Sequence, residues 1–175
     1  MAPAPPWLPA VQNNAEWCDT VCRAHGHPGR FEQGLWLNPA PESSSEVAWR
    51  TVGTPEELEA WEAAWSGQPE GARPSRVFPP ALLQDEGVVF LAAGDGKRLV
   101  AGGIAFFGAD VIGLSNTFRV EGAPACLDAE LLARLRAHFP GRPVVGYERG
   151  EALDTWRALG FEAGGPLRVW LRREG

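Results

Sequence analysis

Residues 88–118 of this 175-residue chain, VVFLAAGDGKRLVAGGIAFFGADVIGLSNTF, decide its fold. Two apolar runs at 88–93 and 99–107 are separated by the sequence Gly-Asp-Gly-Lys, and a Gly-Ala-Asp turn leads into a third run at 111–118. Short apolar runs joined by turns rich in glycine and aspartate are typical of β-hairpins. The segment therefore predicts three consecutive strands that form an antiparallel meander.

Helices and strands are predicted on both sides of this meander. Upstream, residues 46–52 alternate apolar and polar side chains as a half-buried strand does, and Thr54-Pro55-Glu56-Glu57 is a capping box that starts a helix. The remaining predictions are a brief strand at 34–37, a helical turn at 79–84, helices at 127–139 and 151–159, and strands at 143–147 and 167–171. From residue 46 the order is β-α-(α)-βββ-α-β-α-β, which predicts an α/β (α+β) fold: a mixed, mostly antiparallel central sheet with helices on both faces.

The N-terminal part of the chain differs in composition from the rest. Residues 1–12 are rich in proline and are interpreted as a flexible tail. Residues 13–45 are predicted to form an N-terminal helical extension, with an amphipathic helix at 13–25, followed by a linker of proline and serine. The principal domain is then expected to span residues 46–175.

Composition and charge exclude several classes of function. Hydrophobic residues make up 45% and charged residues 22%, which is typical of a globular domain. The chain has 16 Lys and Arg against 22 Asp and Glu, a net charge of −6 without a basic block, so no nucleic-acid partner is expected. No apolar run approaches the ~20 residues of a membrane span, and no secretion signal is recognised. We therefore expect a cytoplasmic protein without a membrane partner.

A cluster of cysteine and histidine near the N-terminus raises the question of a zinc site. It contains Cys18, Cys22, His25 and His27, which are residue types that bind zinc. On one helix, however, Cys18 and His25 would lie ~10 Å apart along the axis, and the spacing matches no standard zinc motif. We therefore expect no metal site, and we interpret the cysteines as free thiols on an apolar stripe.

The segment after the meander resembles the cofactor loop of the GNAT superfamily of N-acetyltransferases. That loop follows a strand and has the pattern (Q/R)-x-x-G-x-(G/A), which is matched here by Arg119 and Gly122 before a helix. Pro124, which has no N–H, and the acidic Glu121 depart from the family. The resemblance implies that acetyl-CoA is the acyl donor and that its binding residues are Leu114, Ser115, Asn116, Thr117, Phe118, Arg119, Gly122, Ala123 and Ala125.

A second family signature, N-x-x-A-x-x-x-Y-x-x-x-G-F, is partly matched by RGEALDTWRALGF at residues 149–161. Trp156 stands where the family has the tyrosine that protonates the leaving thiolate, and an indole N–H cannot act as that acid. The candidate catalytic residues are therefore Tyr147, the only tyrosine, with Glu148 and Asp110 as bases. Alternatively, Tyr147 is a packing aromatic and the two carboxylates are solvated charges at strand ends.

Three functions are compatible with these observations. The leading hypothesis is direct transfer of an acetyl group from acetyl-CoA to a small-molecule or peptide amine. The second is a catalytically inactive GNAT-fold module that binds a ligand or a partner, which the replacements at residues 121, 124, 149 and 156 favour. The third is a structural role as one half of a homodimer.

Overall fold

A computed structural model describes residues 29–37, 47–68, 76–94 and 98–170, with the backbone alone for 29–37 and 167–170. The predicted helix at 13–25, the Cys/His cluster and the linker before residue 46 lie outside the described residues. The chain divides into two units, residues 38–145 and residues 1–37 with 146–175. Each unit is described by itself.

The order of helices and strands from residue 46 onward is the predicted one. The elements are β1 (Gly29–Leu37), β2 (Trp49–Thr51), α1 (Pro55–Trp65), a 3-10 helix (Pro80–Gln84), β3 (Val88–Gly94), β4 (Leu99–Gly108), β5 (Val111–Arg119), α2 (Cys126–His138), β6 (Val144–Glu148), α3 (Gly150–Ala158) and β7 (Glu162–Trp170). The fold class is confirmed as mixed α/β with a mostly antiparallel sheet.

The last strand is longer than the sequence pattern indicated. It begins at Glu162, five residues before the predicted start at 167, and it includes Gly164, Gly165 and Pro166. Glycine and proline normally argue against a strand. Here β7 pairs antiparallel with β1, and a register shift between Gly34 and Leu35 accommodates the irregular segment. The partner strand therefore overrides the local propensity.

The predicted meander is confirmed in the unit of residues 38–145. Strand β3 pairs antiparallel with β4, from Val88 opposite Phe106 to Gly94 opposite Leu99. Strand β5 pairs antiparallel with the other side of β4, and β2 pairs with β3. Beside the start of β5, the Ile112 amide donates to the carbonyl oxygen of Pro143 at 2.9 Å, just before β6 begins.

Two neighbouring glycines of β4 show that helices cover both faces of this sheet. A Cβ atom at Gly102 would meet the Trp61 side chain of α1, whereas a Cβ atom at Gly103 would meet the Leu131 side chain of α2. Successive side chains of a strand point to opposite faces of the sheet. Helices α1 and α2 therefore pack on opposite faces, as predicted.

Trp61 is the centre of the core beneath α1. Its side chain is fully buried, and its indole Nε1 donates to the carbonyl oxygen of Leu91 at 2.9 Å. The rings of Phe90 and Phe118 each meet it edge-on, with centroids 5.3 Å away. Edge-to-face aromatic pairs add stability beyond the area they bury. The core therefore fixes the end of β5 at Phe118, immediately before the predicted cofactor loop.

The start of α1 is the predicted capping box. The Thr54 hydroxyl accepts from the Glu57 amide at 3.2 Å, and Glu57 Oε2 accepts from the Gly53 and Thr54 amides at 2.8 and 3.3 Å. Arg50 also donates to the Glu57 carboxylate at 2.5 Å. The hydrogen bond from the Gly53 amide is the main reason that the pKa of Glu57 lies below its usual 4.5, and Arg50 adds to the effect.

We expect this cap to make part of the stability depend on pH. Because the folded-state pKa of Glu57 is lowered, its contribution is present above pH 4.5 and is lost as the pH falls through the folded-state value. Glu57→Gln should therefore lower the free energy of unfolding by about 1 kcal/mol or less at pH 7, and by nothing measurable near pH 3. Denaturant unfolding of both proteins at these pH values checks this. An equal difference at both would contradict it.

The other unit contains β1, β7, α3 and the end of β6. Trp156 of α3 is buried, and its ring meets that of Phe161 edge-on with centroids 5.4 Å apart. Tyr147, on the last residues of β6, is 47% exposed. Among the described residues, no helix is long and apolar enough to cross a membrane.

Candidate cofactor site

Strand β5 carries a bulge at Asn116 and Thr117. Ser115 pairs with Ile104 and Phe118 pairs with Gly102, so two residues of β5 stand opposite the single residue Gly103. Asn116 has a φ of 50°, in the left-handed region that asparagine tolerates better than most residues, and its Nδ2 lies 3.2 Å from the Ser115 hydroxyl. Bulges bend a strand and change the direction of its side chains and backbone groups.

This bulge lies within residues 114–118, the first five of the nine residues that the family resemblance assigned to acetyl-CoA binding. The bulge itself was not predicted. The asparagine at 116 is the only local signal for it, because the extra residue is defined by the pairing with β4, which is remote in sequence.

A tight turn follows β5. The Val120 amide continues the pairing with β4 by donating to the Val100 carbonyl oxygen, and the Ala123 amide donates back to the Val120 carbonyl oxygen at 3.1 Å. The third residue of this turn, Gly122, has a φ of 80°, which a type II turn requires and which favours glycine. The glycine of the motif is therefore explained by backbone geometry.

The turn and the start of α2 present backbone N–H groups. Among the described residues, the amides of Glu121, Gly122 and Ala125 take part in no hydrogen bond. A Cβ atom built on Gly122 would meet nothing within 4 Å, so there is open space beside the turn. Backbone amides grouped at the positive end of a helix dipole are suited to holding an anion.

Arg119 spans this turn. Its Nε donates to Asp128 Oδ2 at 3.2 Å, and its Nη1 donates to the Ala123 carbonyl oxygen at 3.0 Å. Burial raises the pKa of Asp128 above its usual 3.8, and the guanidinium of Arg119 opposes this effect only in part. Because a guanidinium has five N–H donors, Arg119 retains donors for a further anion.

The donors present fit a diphosphate. The amides of Glu121, Gly122 and Ala125 and the guanidinium of Arg119 all belong to residues 119–125, immediately before α2. Pro124 supplies no N–H, and the amides of Leu127 and Asp128 already donate to the carbonyl oxygens of Pro124 and Ala125. The exposed carboxylate of Glu121 lies beside the same donors and weakens the attraction for an anion. The site therefore has fewer backbone donors and a less favourable charge than the loop that the motif describes.

Asp110 lies at the other end of β5. It occupies the turn between β4 and β5 with a φ of 62°, and Arg142 Nη1 donates to its carboxylate at 2.7 Å. Because strand β5 extends for nine residues between them, Asp110 lies on the order of 30 Å from Arg119. The Arg142 guanidinium also lies over the Phe107 ring, 5.3 Å from its centroid. These contacts give Asp110 a role in holding the turn, and its predicted role as a base stays a prediction.

The other two catalytic candidates, Tyr147 and Glu148, belong to the second unit. Tyr147 is exposed and Glu148 is half-buried. Trp156, which occupies the position of the family's tyrosine, is buried against Phe161. Of the predicted cofactor residues, Gly122 and Ala123 lie in the turn of residues 120–123, Arg119 is the last residue of β5, and Ala125 precedes α2.

Comparisons with known proteins give matches at the level of structure. No family model matches the chain, and no curated protein matches its sequence. A GCN5-related N-acetyltransferase from Kribbella flavida has a similar structure, with a TM-score of 0.60 and 17% identity over 89% of this chain and 64% of that one. A conserved protein of unknown function from Staphylococcus epidermidis has a TM-score of 0.59 and 12% identity, covering 86% of this chain and 64% of that one.

A tandem GNAT protein from the clavulanic acid biosynthesis pathway is also similar, with a TM-score of 0.55 and 15% identity, covering 97% of this chain and 58% of that one. This chain thus spans less than two thirds of the length of these three solved proteins. At such identities the likeness establishes the fold, and function has to be argued from the site.

Proposed function

We propose that this chain, whose fold is that of the GNAT N-acetyltransferases, transfers an acetyl group from acetyl-CoA directly to a small-molecule or peptide amine. The observation that carries the proposal is the turn after β5, where the amides of Glu121, Gly122 and Ala125 are available beside Arg119. The bulged strand that leads into this turn supports it.

The residues of the chain have separate tasks in this proposal. The three amides and Arg119 hold the diphosphate, and the backbone of β5 around the bulge orients the pantetheine arm by strand addition. Acetyl-CoA, when bound, supplies the activated acyl group. A backbone N–H of the bulged segment polarises the acyl oxygen, which is a form of oxyanion stabilisation that needs no particular side chain.

Two side chains are proposed to move protons. The Glu148 carboxylate takes a proton from the acceptor nitrogen, since an ammonium group cannot attack a carbonyl carbon. The Tyr147 hydroxyl donates a proton to the departing sulfur. Tyr147 takes this task because Trp156 has no acidic group and is buried in the second unit.

A catalytically inactive module is the second candidate function. The specific observation in its favour is the replacement of the family's acid by Trp156, whose ring is buried against Phe161 and serves packing. Pro124 supports it as well, because this residue removes a donor at the start of α2.

Calorimetric titration with acetyl-CoA, combined with an assay of thiol release, tests the proposal. We expect saturable binding, and release of free thiol when a panel of primary amines is added. Binding without release for any amine would favour the inactive module. Absence of binding at millimolar acetyl-CoA would overturn the enzyme proposal.

We expect Asp128→Asn to bind acetyl-CoA about two- to fivefold more tightly, because it removes a negative charge beside the diphosphate donors. Because burial raises the folded-state pKa of Asp128, the stability linked to its protonation is present below pH 3.8 and is lost as the pH rises through the folded-state value. The substitution should therefore not lower Tm at pH 7. Calorimetry and thermal unfolding measure both effects.

The matched control for Asp128→Asn is Glu86→Gln, which removes an exposed carboxylate two residues before β3. Val88 of β3 pairs with Phe106, whereas Arg119 pairs with Ala101 at the other end of β4, so Glu86 lies away from the turn. The affinity of Glu86→Gln for acetyl-CoA should equal that of the unmodified chain. Equal or weaker binding by Asp128→Asn would show that the carboxylate does not face the bound anion.

A further inference from the structure

A shallow groove lies between the β2–β3 side of the sheet and the C-terminal half of α2. Its volume is about 270 Å³, and the lining residues that matter for its chemistry are Trp49, Arg50, Leu91, Arg134 and His138. Arg134 is eight residues from the start of α2, which corresponds to about 12 Å along the helix. The groove is therefore separate from the turn at Gly122.

The walls of the groove are apolar and held in place. Leu91 is buried in β3 beneath it. The indole Nε1 of Trp49 donates to Glu130 Oε2 at 2.8 Å, and this hydrogen bond to a buried carboxylate fixes the orientation of the ring. A rigid aromatic wall over an aliphatic floor favours a ligand with a flat, apolar body.

The rim of the groove carries positive charge. Arg134 and His138 are four residues apart on α2 and so lie on the same face of the helix. Both are exposed, and Arg134 has no ion pair within the part of the chain that the structure describes. His138 makes an edge-on contact with the Phe139 ring, with centroids 4.7 Å apart.

Arg50 also lines the groove, but its guanidinium does not add to the charge of the rim. Trp49 faces α2, where it donates to Glu130, and successive side chains of a strand alternate between faces, so Arg50 lies on the α1 side and donates to Glu57 there. Glu130 is the carboxylate beside the groove; the neutral Trp49 indole leaves its charge in place, but its side chain is buried. The exposed charge at the rim is therefore that of Arg134, in a chain whose net charge is −6.

We propose that this groove binds a small aromatic carboxylate. Its ring lies against Trp49 and Leu91, and its carboxylate accepts charge-assisted hydrogen bonds from Arg134. The volume is just below the ~300 Å³ at the lower end of ligand pockets, which suits one ring or two fused rings. This inference does not depend on acetyl-CoA binding or on catalysis.

Titration of ¹⁵N-labelled protein with benzoate tests the proposal, with the indole N–H signal of Trp49 as the readout. The signal is assigned by its loss in Trp49→Phe. We expect a saturable shift at millimolar benzoate, and binding at least tenfold weaker for benzamide, which has the same ring without the charge. Arg134→Gln should weaken benzoate binding about tenfold, while Arg76→Gln should not change it, because the exposed Arg76 pairs with Glu59 of α1 on the opposite face of the sheet.

The proposal would be overturned by the absence of a saturable shift of the Trp49 signal, by equal affinity for benzoate and benzamide, or by unchanged benzoate affinity in Arg134→Gln. A benzoate response confined to the Gly122 amide would overturn it too, since it would place the anion at the turn after β5. Because Arg134 is exposed, its replacement should leave the fold intact, and the unchanged dispersion of the amide signals verifies this within the same experiment.

Discussion

Gly102→Ala is expected to lower Tm by roughly 10 °C. A Cβ atom at this position of β4 would lie 2.6 Å from the Phe118 ring, 2.7 Å from the Leu91 carbonyl oxygen and 2.8 Å from Trp61 Nε1. Real Cβ atoms essentially never approach other heavy atoms so closely, so one of these neighbours has to move. The methyl group thus enters the place where the Trp61 indole donates to Leu91.

Two physical effects add up in this variant. Overpacking of a well-packed core costs about 1–3 kcal/mol, and loss of a buried hydrogen bond costs about 1–3 kcal/mol when its partners are left unsatisfied. A total near 3 kcal/mol corresponds to roughly 6–12 °C in a domain of this size. Thermal unfolding followed by circular dichroism measures the effect.

Gly113→Ala is the matched control. Gly113 lies on the neighbouring strand β5, and its nearest contact to a built Cβ atom is the Phe106 carbonyl oxygen at 3.6 Å, which is an ordinary van der Waals distance. Its Tm should change little or rise slightly, because alanine restricts the unfolded chain. Equal Tm values for the two alanine variants would show that α1 does not pack on β4 through Trp61.

Tyr147→Phe is expected to lower the turnover of acetyl transfer by about 10²-fold or more, within the ~10²–10⁴ that a positioned acid contributes. The substitution removes the hydroxyl and keeps the ring. Since Tyr147 is 47% exposed, the fold should not depend on this hydroxyl. The measurement is kcat for thiol release with the best amine, together with the Kd of acetyl-CoA from calorimetry.

We expect the affinity for acetyl-CoA to be unchanged in Tyr147→Phe, because the hydroxyl protonates the departing sulfur and does not hold the diphosphate. Trp156→Phe serves as the comparison: its ring is buried, so we expect lower stability and an unchanged kcat at a temperature where the protein is folded. If Tyr147→Phe turned over at the rate of the unmodified chain, Tyr147 would be excluded as the acid.

Local patterns were sufficient to predict most of the fold. The meander followed from apolar runs separated by glycine and aspartate, and the start of α1 followed from the capping box at Thr54 and Glu57. In both cases the residues that determine the structure are neighbours in sequence. The start of β7 was misjudged because its pairing with β1 joins segments more than 120 residues apart.

The candidate site was predictable to the extent that its geometry is local. Arg119 and Gly122 are three residues apart, and the structure places Gly122 in the turn and the Arg119 side chain across it. The bulge opposite Gly103 and the hydrogen bond from Arg119 to Asp128 were not predicted. Each of these depends on how one element is placed against another, and no single-segment pattern encodes that placement.

The groove beneath Trp49 shows the same limit. Its lining comes from β2, β3 and α2, with 40 positions between Thr51 and Leu91 and 43 between Leu91 and Arg134, and none of its residues formed a motif. In the sequence, Arg134 and His138 are simply basic residues on a helix face. Only the placement of α2 beside Trp49 of β2 and Leu91 of β3 makes them the rim of an apolar groove.

Binding of acetyl-CoA at the turn after β5 can be observed by titrating ¹⁵N-labelled protein and following the backbone amide signals. We predict saturable shifts that are largest at the amides of Glu121, Gly122 and Ala125, where unbonded donors meet the positive end of α2. Absence of saturable shifts at millimolar acetyl-CoA, or shifts that leave these three amides unchanged, would contradict this prediction.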